Sequence, residues 1–314
     1  MYLYGLTKLF FMIYYTHGGY FHCDEVTGFV ITKLAGVCDS FKRLDDLTNL
    51  PTDGLIADIG REYDPEKSRF DHHHFQKRRP EPNGCMYATA GLLWLTYGRT
   101  VVRKQLAIWL PPKQITVTLI DAIFARVDRK FIQGIDANDA DSKYEHSATH
   151  FDGREVEIMT LPQIVGKMNL PNPKSSAQFI AFHRAVQLIE DLLIQIVNES
   201  VEVEQIAYDF FEKYNIDPGD EIAVVTDSIN WRVLPEILAR TPTRLKYVIL
   251  PSAHPGNPFC MVALPVNPNT RRLKLPILRP TWFEGFIHNG QFIAGADSVE
   301  TLRQLATFNL DATR

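Results

Sequence analysis

Cysteine is scarce in this sequence of 314 residues, which has it only at Cys23, Cys38, Cys85 and Cys260. No two of these residues form a CxxC pair, the usual start of a zinc-binding or redox motif. Such spacing argues against a small disulfide-stapled secreted fold, in which cysteines are dense. We therefore expect four reduced thiols and a cytoplasmic location.

Basic charge is also in deficit, since 33 Lys and Arg residues face 37 Asp and Glu residues and the formal net charge is -4. A protein that coats nucleic acid over its whole surface carries the opposite excess. The net charge is still compatible with a local basic groove that binds nucleic acid. Repeats and low-complexity tracts are absent.

Long apolar runs are missing as well. The apolar stretch at residues 9–15 is far shorter than the roughly 20 residues that cross a bilayer. The opening segment also lacks the basic leader and the small-residue cleavage site of a secretory signal. We expect this stretch to form a buried strand, and we expect no membrane association.

An alternation of strand and helix patterns is what the sequence does contain. Aromatic and β-branched residues at 9–16 predict a core strand that stops at His17, and residues 55–59 predict a second strand. Helices are predicted at residues 26–34, 89–97, 117–127 and 177–197. The alternation favours an α/β fold with a mostly parallel sheet flanked by helices.

The length of the chain favours two domains. Pro162, Pro171 and Pro173 punctuate a polar stretch that predicts a boundary. We expect a first domain over residues 1–170 and, over residues 171–314, a connecting helix followed by a smaller α/β domain. In that second domain, residues 222–226, 247–250, 260–264 and 292–294 predict strands, and residues 299–307 predict a closing helix.

Imidazoles and carboxylates are concentrated where the apolar pattern of the first domain breaks. These residues are His17, His22, Asp24, Asp58, Asp71, His72, His73 and His74. Ligands gather at the carboxyl ends of strands in open α/β sheets. Mixed imidazole and carboxylate donors suit Mn, Fe, Co or Zn better than calcium. The pattern predicts a site for two metal ions, with Asp58 able to bridge them.

Five segments occur in the order of a known family: THGGYFHCDE, ADIGREYDPEKSRFDHHH, AGLLWLTYGRTVV, FIQGIDANDAD and GFIHNGQFIAGA. With them the sequence resembles the DHH phosphoesterase superfamily and, within it, the melanocyte proliferating gene product (MYG-type) exonuclease family. The resemblance implies a DHH-type two-domain fold whose first domain is catalytic. It also implies phosphoester hydrolysis with two divalent cations, usually Mn²⁺, with Mg²⁺, Co²⁺ or Zn²⁺ as alternatives.

The resemblance further implies roles for individual residues. The implied ligands of one ion are His17, His22 and Asp58, and those of the other are Asp24, His72, Asp139 and the shared Asp58. His73 would face the substrate phosphate, and Asp71 would orient a histidine from behind. Asp71 and His73 are thus the predicted catalytic residues.

Two positions depart from the family pattern. His74 stands where the family commonly has Gln, so it is either an additional ligand or a polar neighbour. Asp139 lies in DANDAD, where the family more often has Asp-Asn-Gly. Asp136 or Asp141 could therefore take the place of Asp139.

The predicted substrate-binding residues are His288, Asn289, Gly290, Gly295, Arg78 and Arg79. The first four resemble a glycine-containing substrate motif of the family, although Asn289-Gly290 also predicts a simple hairpin turn. The two arginines follow the metal motif and could track a polynucleotide backbone, the alternative being a solvated charge run.

These features together predict a metal-dependent phosphodiester hydrolase, an exonuclease acting on single-stranded RNA or DNA or on short oligonucleotides. Two other functions stay open: a small-molecule phosphatase or pyrophosphatase, and a catalytically silent nucleic-acid-binding module. The sequence leaves the oligomeric state open, a dimer included.

Overall fold

The computed structural model describes residues 11–74, 77–80, 84–140, 147–149, 155–238, 240–254, 256–267, 270–274 and 276–312. The chain divides into two compact units, Met1–Val201 and Glu202–Arg314. This division falls inside a long helix that the sequence assigns to the second domain. Its first part belongs to the first unit because Phe182, Ile189 and Leu193 are buried in that unit's core. The boundaries at 1–170 and 171–314 stay a prediction.

The first unit contains a five-stranded sheet. Its strands are β1 (Met12–His17), β2 (Cys38–Leu44), β3 (Leu55–Ala57), β4 (Tyr63–Asp64) and β5 (Arg69–Phe70). They lie in the order β2-β1-β3-β5-β4, and all pairs are parallel except that of the edge strand β4 with β5. The predicted α/β fold with a mostly parallel sheet is confirmed. Because β1, β3 and β5 are parallel, their carboxyl ends meet at one edge of the sheet.

Helices cover this sheet. In the described part of the chain they are α1 (Cys23–Ala35), α2 (Thr89–Trp109), α3 (Val117–Val127), α4 (Gln133–Ala140), α5 (Leu161–Gly166) and α6 (Ala177–Lys213). Shorter elements are the 3-10 turns Pro65–Lys67 and Pro112–Gln114, a π-helical turn Asp128–Ile132, and the ribbon of β6 (Ser147–Thr149) with β7 (Glu155–Glu157). The four helices predicted for this region are confirmed.

Helix α1 begins at Cys23, three residues earlier than predicted, because its first turn is capped locally. His22 is the N-cap, and its amide donates a hydrogen bond of 2.8 Å to Oε1 of Glu25. This is the reach-back half of a capping box. The helix ends at Ala35, and the C-cap residue Gly36 has a left-handed φ of 73°, which suits glycine.

The core of the first unit lies between the sheet and helices α1, α2, α3 and α6. Its largest fully buried side chains include Trp94, Tyr14, Phe21, Phe70 and Phe182. The ring of Trp94 stacks on Phe124 of α3 at a centroid distance of 5.5 Å. This packing fixes the ends of the strands and the start of α2, which carry the side chains described below.

Gly28 marks the closest approach of α1 to its neighbours. A Cβ atom at this position would lie 2.6 Å from Oη of Tyr14 and 2.8 Å from Cδ1 of Leu93. We expect Gly28→Ala to lower the free energy of unfolding by about 1–3 kcal/mol through overpacking. Gly134→Ala is the matched control, since no atom lies within 4 Å of its added methyl group. In α4 that change should stabilise by up to about 1 kcal/mol; equal denaturant midpoints for both variants would contradict this packing account.

The second unit contains another five-stranded sheet. Its strands are β8 (Ile222–Val224), β9 (Tyr247–Pro251), β10 (Phe259–Ala263), β13 (Phe286–Ile287) and β14 (Ile293–Ala296), and a separate ribbon joins β11 (Pro265–Asn267) to β12 (Thr270–Lys274). The sheet order is β13-β14-β10-β9-β8, with β8 and β9 parallel and the other pairs antiparallel. The strands predicted at 222–226, 247–250, 260–264 and 292–294 are confirmed.

Both faces of the second sheet are covered. Val248 and Leu250 of β9 pack with the end of α6 and with α7 (Leu234–Leu238), beside a 3-10 turn at Trp231–Val233. Tyr247 and Ile249 point to the other face and pack with α8 (Val299–Asp311). This alternation is the period of two expected for a strand buried on both sides.

A membrane-spanning helix is not found in the described residues, where no helix combines the necessary length with the necessary apolar character.

Candidate metal centre

Asp58 lies immediately after β3, and its backbone turns away from the strand with a φ of 63°. Aspartate is one of the few residues that adopt this left-handed conformation without a large steric cost. The carboxylate is 5% exposed and has one oxygen toward each of two histidines. Oδ2 is 3.3 Å from Nε2 of His17, and Oδ1 is 3.4 Å from Nε2 of His72. This position between two imidazoles is what a bridging ligand requires.

His17 ends β1, and the backbone fixes which of its two ring nitrogens faces the acids. Nδ1 is 2.8 Å from the carbonyl oxygen of Gly18, and because a carbonyl only accepts, Nδ1 carries the proton. Nε2 then faces Oε1 of Glu25 at 3.1 Å and Oδ2 of Asp58 at 3.3 Å. A backbone carbonyl that fixes one ring nitrogen while the other faces acids is the usual arrangement of a metal-ligating histidine.

His72 follows β5 and faces a second set of acids. Its Nε2 is 3.0 Å from Oδ2 of Asp139 and 3.4 Å from Oδ1 of Asp58, yet it forms no hydrogen bond with good geometry. Asp139 reaches this point from α4. A buried nitrogen near two carboxylates but aligned with neither is the geometry expected of a ligand.

Asp24 joins the second set from the first turn of α1. Its Oδ2 accepts a hydrogen bond of 3.0 Å from the amide of Thr89, and its Oδ1 accepts one of 2.7 Å from the amide of Ala90. These amides begin α2, so Asp24 also caps that helix and benefits from the positive end of its dipole. Hydrogen-bonded carboxylates are common among metal ligands, because each oxygen keeps a second lone pair.

The donors form three overlapping groups, in each of which the ligand atoms lie within 4.8 Å of one another. The groups are His17, His22, Glu25 and Asp58; Asp58, His72 and His73; and Asp24, Asp58, His72 and Asp139. Asp58 is common to all three. The structure thus brings together all six predicted metal ligands and adds Glu25 and His73. Their role as ligands stays a prediction.

The acids in these groups are held at an electrostatic cost. Burial raises the pKa of Asp24 well above its usual range, and Asp139 and Asp58 add to the effect. Burial also raises the pKa of Glu25. Divalent cations placed among these side chains would offset both the desolvation and the mutual repulsion. The residues present therefore fit a metal centre.

The raised pKa values of His17 and His72 also reflect the excess of acidic side chains around them. Burial by itself lowers the pKa of His17, but contacts with Asp58 and Glu25 outweigh it and raise the pKa to about 11. Burial likewise lowers the pKa of His72, and contacts with Asp139 and Asp58 raise it to about 11. Without metal, protons are thus the cations that these acids hold.

Asp71 lies outside the three groups and pairs with His73, a member of the second group. Oδ1 of Asp71 is 2.7 Å from Nδ1 of His73 and accepts a hydrogen bond of 2.9 Å from its amide. The other oxygen, Oδ2, accepts a bond of 2.6 Å from the amide of Arg61. Asp71 is buried, whereas the His73 side chain is 57% exposed. The sequence prediction that Asp71 orients a histidine agrees with this geometry, while the catalytic roles stay a prediction.

A cavity of about 970 Å³ opens over these side chains. Its lining includes Asp58, His72, His73, Asp139, His17, His22 and Asp71 together with the apolar residues Leu47, Leu50, Ile59 and Met86 and the ring of Tyr87. Among the described residues of the lining, Arg61 is the one Arg or Lys side chain. The cavity lies within the first unit.

The structure favours Asp139 over one of its two alternatives. Asp136 is fully buried away from the three groups, where it accepts a hydrogen bond of 2.9 Å from the amide of Gly91. Asp141 lies outside the described residues. His74 is exposed and belongs to none of the three groups.

Arg79 is a correction to the predicted substrate-binding set. It is 4% exposed, and its Nη2 lies 2.8 Å from Oδ1 of Asp128 and 2.8 Å from Oδ2 of Asp136. A guanidinium paired in this way is not offered to a substrate. Arg78, the neighbouring residue, is exposed and donates to the carbonyl oxygen of Gly84.

The predicted motif of the second unit forms a hairpin. His288, Asn289 and Gly290 connect β13 to β14, and the amide of Gly290 donates a bond of 2.9 Å to Nδ1 of His288. Gly295 lies in β14, where an added Cβ would be 2.9 Å from Cβ of Asn257. The hairpin turn is confirmed, and substrate binding by these four residues stays a prediction.

A family model, MYG1 exonuclease, described as "Uncharacterised protein family (UPF0160)", matches residues 13–310. The chain belongs to this MYG1 family. The membership predicted from the five sequence segments is thereby confirmed, and the matched range includes every candidate ligand of this family member.

Three relatives of this MYG1 family member show how far the likeness extends. The MYG1 exonuclease of Mus musculus is 24% identical over 193 residues, which are 58% of this chain and 49% of that protein. A Caenorhabditis elegans MYG1 protein is 31% identical over 132 residues, which are 40% of this chain and 37% of that protein. The Saccharomyces cerevisiae MYG1 protein is 24% identical over 329 residues, with 94% of each chain covered. The chain thus spans about half the length of the mouse relative and less of the nematode one.

Among solved structures, the pGpG-specific phosphodiesterase PggH from Vibrio cholerae aligns over 96% of this chain and 99% of that chain. The identity is 13% and the TM-score is 0.31. A score this low establishes no shared geometry at the level of the site.

Two residues of the centre escaped the sequence reasoning. Glu25 is not among the predicted ligands, although its place directly after His22-Cys23-Asp24 could have signalled one. Thr89 donates through Oγ1 to Oδ1 of Asp58 at 3.3 Å. No sequence signal marks that threonine, because 31 residues separate it from its partner.

Proposed function

We propose that this MYG1 family member is a metal-dependent phosphodiester hydrolase, an exonuclease acting on single-stranded RNA or DNA or on short oligonucleotides. The observation that carries the proposal is the set of three donor groups that share Asp58. The residues of these groups would hold two divalent cations, whose chemistry when bound is to activate a water and to neutralise charge on the phosphate oxygens. Mn²⁺ is the proposed ion, since it accepts both imidazole and carboxylate donors.

The Asp71–His73 pair would handle the proton of the leaving group. Because Nδ1 of His73 is held by Oδ1 of Asp71, Nε2 is the nitrogen left to face a substrate in the cavity. A histidine oriented by a buried carboxylate can donate a proton to a leaving oxygen, an effect worth about 10²–10⁴-fold in rate. Asp71 acts through His73 in this scheme and is a positioning residue.

The lining of the cavity favours a nucleotide chain over pyrophosphate. A pyrophosphate site is expected to be closed and rich in Lys and Arg, whereas the described lining offers Arg61 and several apolar side chains. The volume of about 970 Å³ is also at the upper end of what small ligands occupy. The naming of the mouse relative as an exonuclease points the same way.

The full chain, stripped of metal and resupplied with Mn²⁺, tests the proposal on end-labelled single-stranded RNA and DNA of equal sequence. We expect stepwise shortening from one end, seen as a ladder on a denaturing gel, and no activity with chelator present. Pyrophosphate is the competing substrate in a parallel assay of phosphate release. Rapid release from pyrophosphate with intact oligonucleotides would replace the exonuclease by a pyrophosphatase. Binding of oligonucleotides without cleavage of any substrate would indicate the silent binding module.

A further inference from the structure

Glu25 is fully buried in the first turn of α1, directly beside the candidate centre. Its Oε1 accepts the hydrogen bond from the amide of His22 and lies 3.1 Å from Nε2 of His17. Its Oε2 has no hydrogen-bond partner and lies 3.8 Å from Nδ1 of His22. One carboxylate oxygen is therefore buried and unsatisfied, which is rare in native proteins.

Helix capping accounts for only half of this arrangement. A capping-box glutamate needs one oxygen, and the other ordinarily stays in water. Here both oxygens are buried, and Oε1 shares the single nitrogen Nε2 of His17 with Oδ2 of Asp58. This sharing leaves Oε2 of Glu25 without a hydrogen-bond partner, whereas the other oxygen of Asp58 has His72 at 3.4 Å. A buried carboxylate oxygen is retained in a protein interior when a hydrogen-bond donor or a cation satisfies it.

We propose that Glu25 is a ligand of the ion that His17 and Asp58 would hold. This inference rests on the proposed function, since it concerns the same two-ion centre. With His22, Glu25 gives that position two imidazoles and two carboxylates, whereas the position around His72 has one imidazole and three carboxylates. The two positions thus differ in donor chemistry, and the one that includes Glu25 suits transition metals better than Mg²⁺.

Glu25→Gln separates the role of Glu25 as a metal ligand from its role in the helix cap, because a glutamine at the same position also completes a capping box. The measurement is Mn²⁺ bound per chain, by equilibrium dialysis of the full protein followed by elemental analysis. We expect two ions for the wild type and one for Glu25→Gln at Mn²⁺ concentrations that saturate the wild type, with at least about 100-fold weaker binding at the lost position. Glu66→Gln is the matched control, an exposed acid that should leave both ions bound.

The outcomes separate the two proposals. Two ions in both the wild type and Glu25→Gln, with unchanged affinities, overturn the role of Glu25 and leave the proposed function standing. No ion in the wild type overturns the proposed function itself. If Glu25→Gln does not fold, the anomalous map of wild-type crystals grown with Mn²⁺ decides. A peak within about 2.2 Å of a Glu25 oxygen supports the assignment, and two peaks that both lie beyond contact with Glu25 refute it.

Discussion

Asp58→Asn is expected to lower metal-dependent phosphodiester hydrolysis by about 10³-fold or more, because in the proposed centre one carboxylate would serve both ion positions. Asparagine preserves the shape of the side chain but removes its charge and replaces one oxygen by an amide nitrogen that cannot ligate. Oδ1 and Oδ2 each face a different histidine, so the substitution affects at least one position whichever way the amide turns. The charge stabilisation that a bound ion contributes is several kcal/mol, and each 1.36 kcal/mol is tenfold in rate.

The measurement is kcat/KM on a labelled oligonucleotide, taken together with the number of Mn²⁺ ions bound per chain. Asp121→Asn on α3 is the matched control, since Asp121 is half-exposed and pairs with Arg99 at the surface. A surface pair of this kind contributes little to stability, so this variant should keep its activity and both ions. Full activity in Asp58→Asn with both ions still bound would contradict the proposal that Asp58 bridges the two ions.

Arg79→Met is expected to lower the free energy of unfolding of the first unit by about 3–5 kcal/mol, the usual result of removing one partner of a buried ion pair. Arg79 also stacks over the ring of Tyr87 at 4.3 Å and donates from Nη1 to Sγ of Cys85 at 3.1 Å. Methionine fills similar volume but leaves the fully buried Asp136 without its cationic partner. The expected fall in melting temperature is roughly 6–20 °C.

The pH dependence of that loss follows from Asp136. Burial raises the pKa of Asp136 to about 7, although Arg79 lowers it. The folded state then binds more protons than the unfolded state between the ordinary value of 3.8 and about 7, so this group makes stability fall as pH rises through that range. Without Arg79 the pKa rises further, and the penalty continues to grow above pH 7. The difference between wild type and variant should therefore be larger near pH 8 than near pH 5.

Arg78→Met is the matched control for Arg79→Met. Arg78 is an exposed neighbour of the same type, and its loss should leave the melting temperature almost unchanged. Thermal unfolding by circular dichroism at the two pH values measures both variants. A stable Arg79→Met protein with a raised KM for oligonucleotides would restore the substrate role that the sequence first predicted.

Much of the candidate centre can be predicted from the sequence. His17 and Asp58 stand at breaks in apolar strand patterns, and parallel strands bring such breaks to one edge of a sheet. The family resemblance supplied the pairing of Asp24, His72 and Asp139. The strand β2 was missed, because Cys38–Leu44 has neither an apolar run nor a regular alternation and is half exposed at the edge.

Arg78 is exposed and Arg79 is buried, a difference that the sequence does not predict. The two residues are adjacent and chemically identical, and no local pattern distinguishes them. Arg79 is buried because it meets Asp128 of the π-helical turn and Asp136 of α4, which lie 49 and 57 residues later in the chain. Charge balance in an interior depends on partners that only folding brings together.

The sequence by itself determined the α/β class, the family and the kinds of donor atom in the centre, because hydrophobic periodicity and residue chemistry are properties of short segments. The tertiary structure alone decided which acid faces which imidazole. It placed Asp139 in the centre and Asp136 against Arg79, and it left one oxygen of Glu25 buried without a partner. Distances of 3 Å between residues far apart in the chain follow from packing, which no local segment encodes.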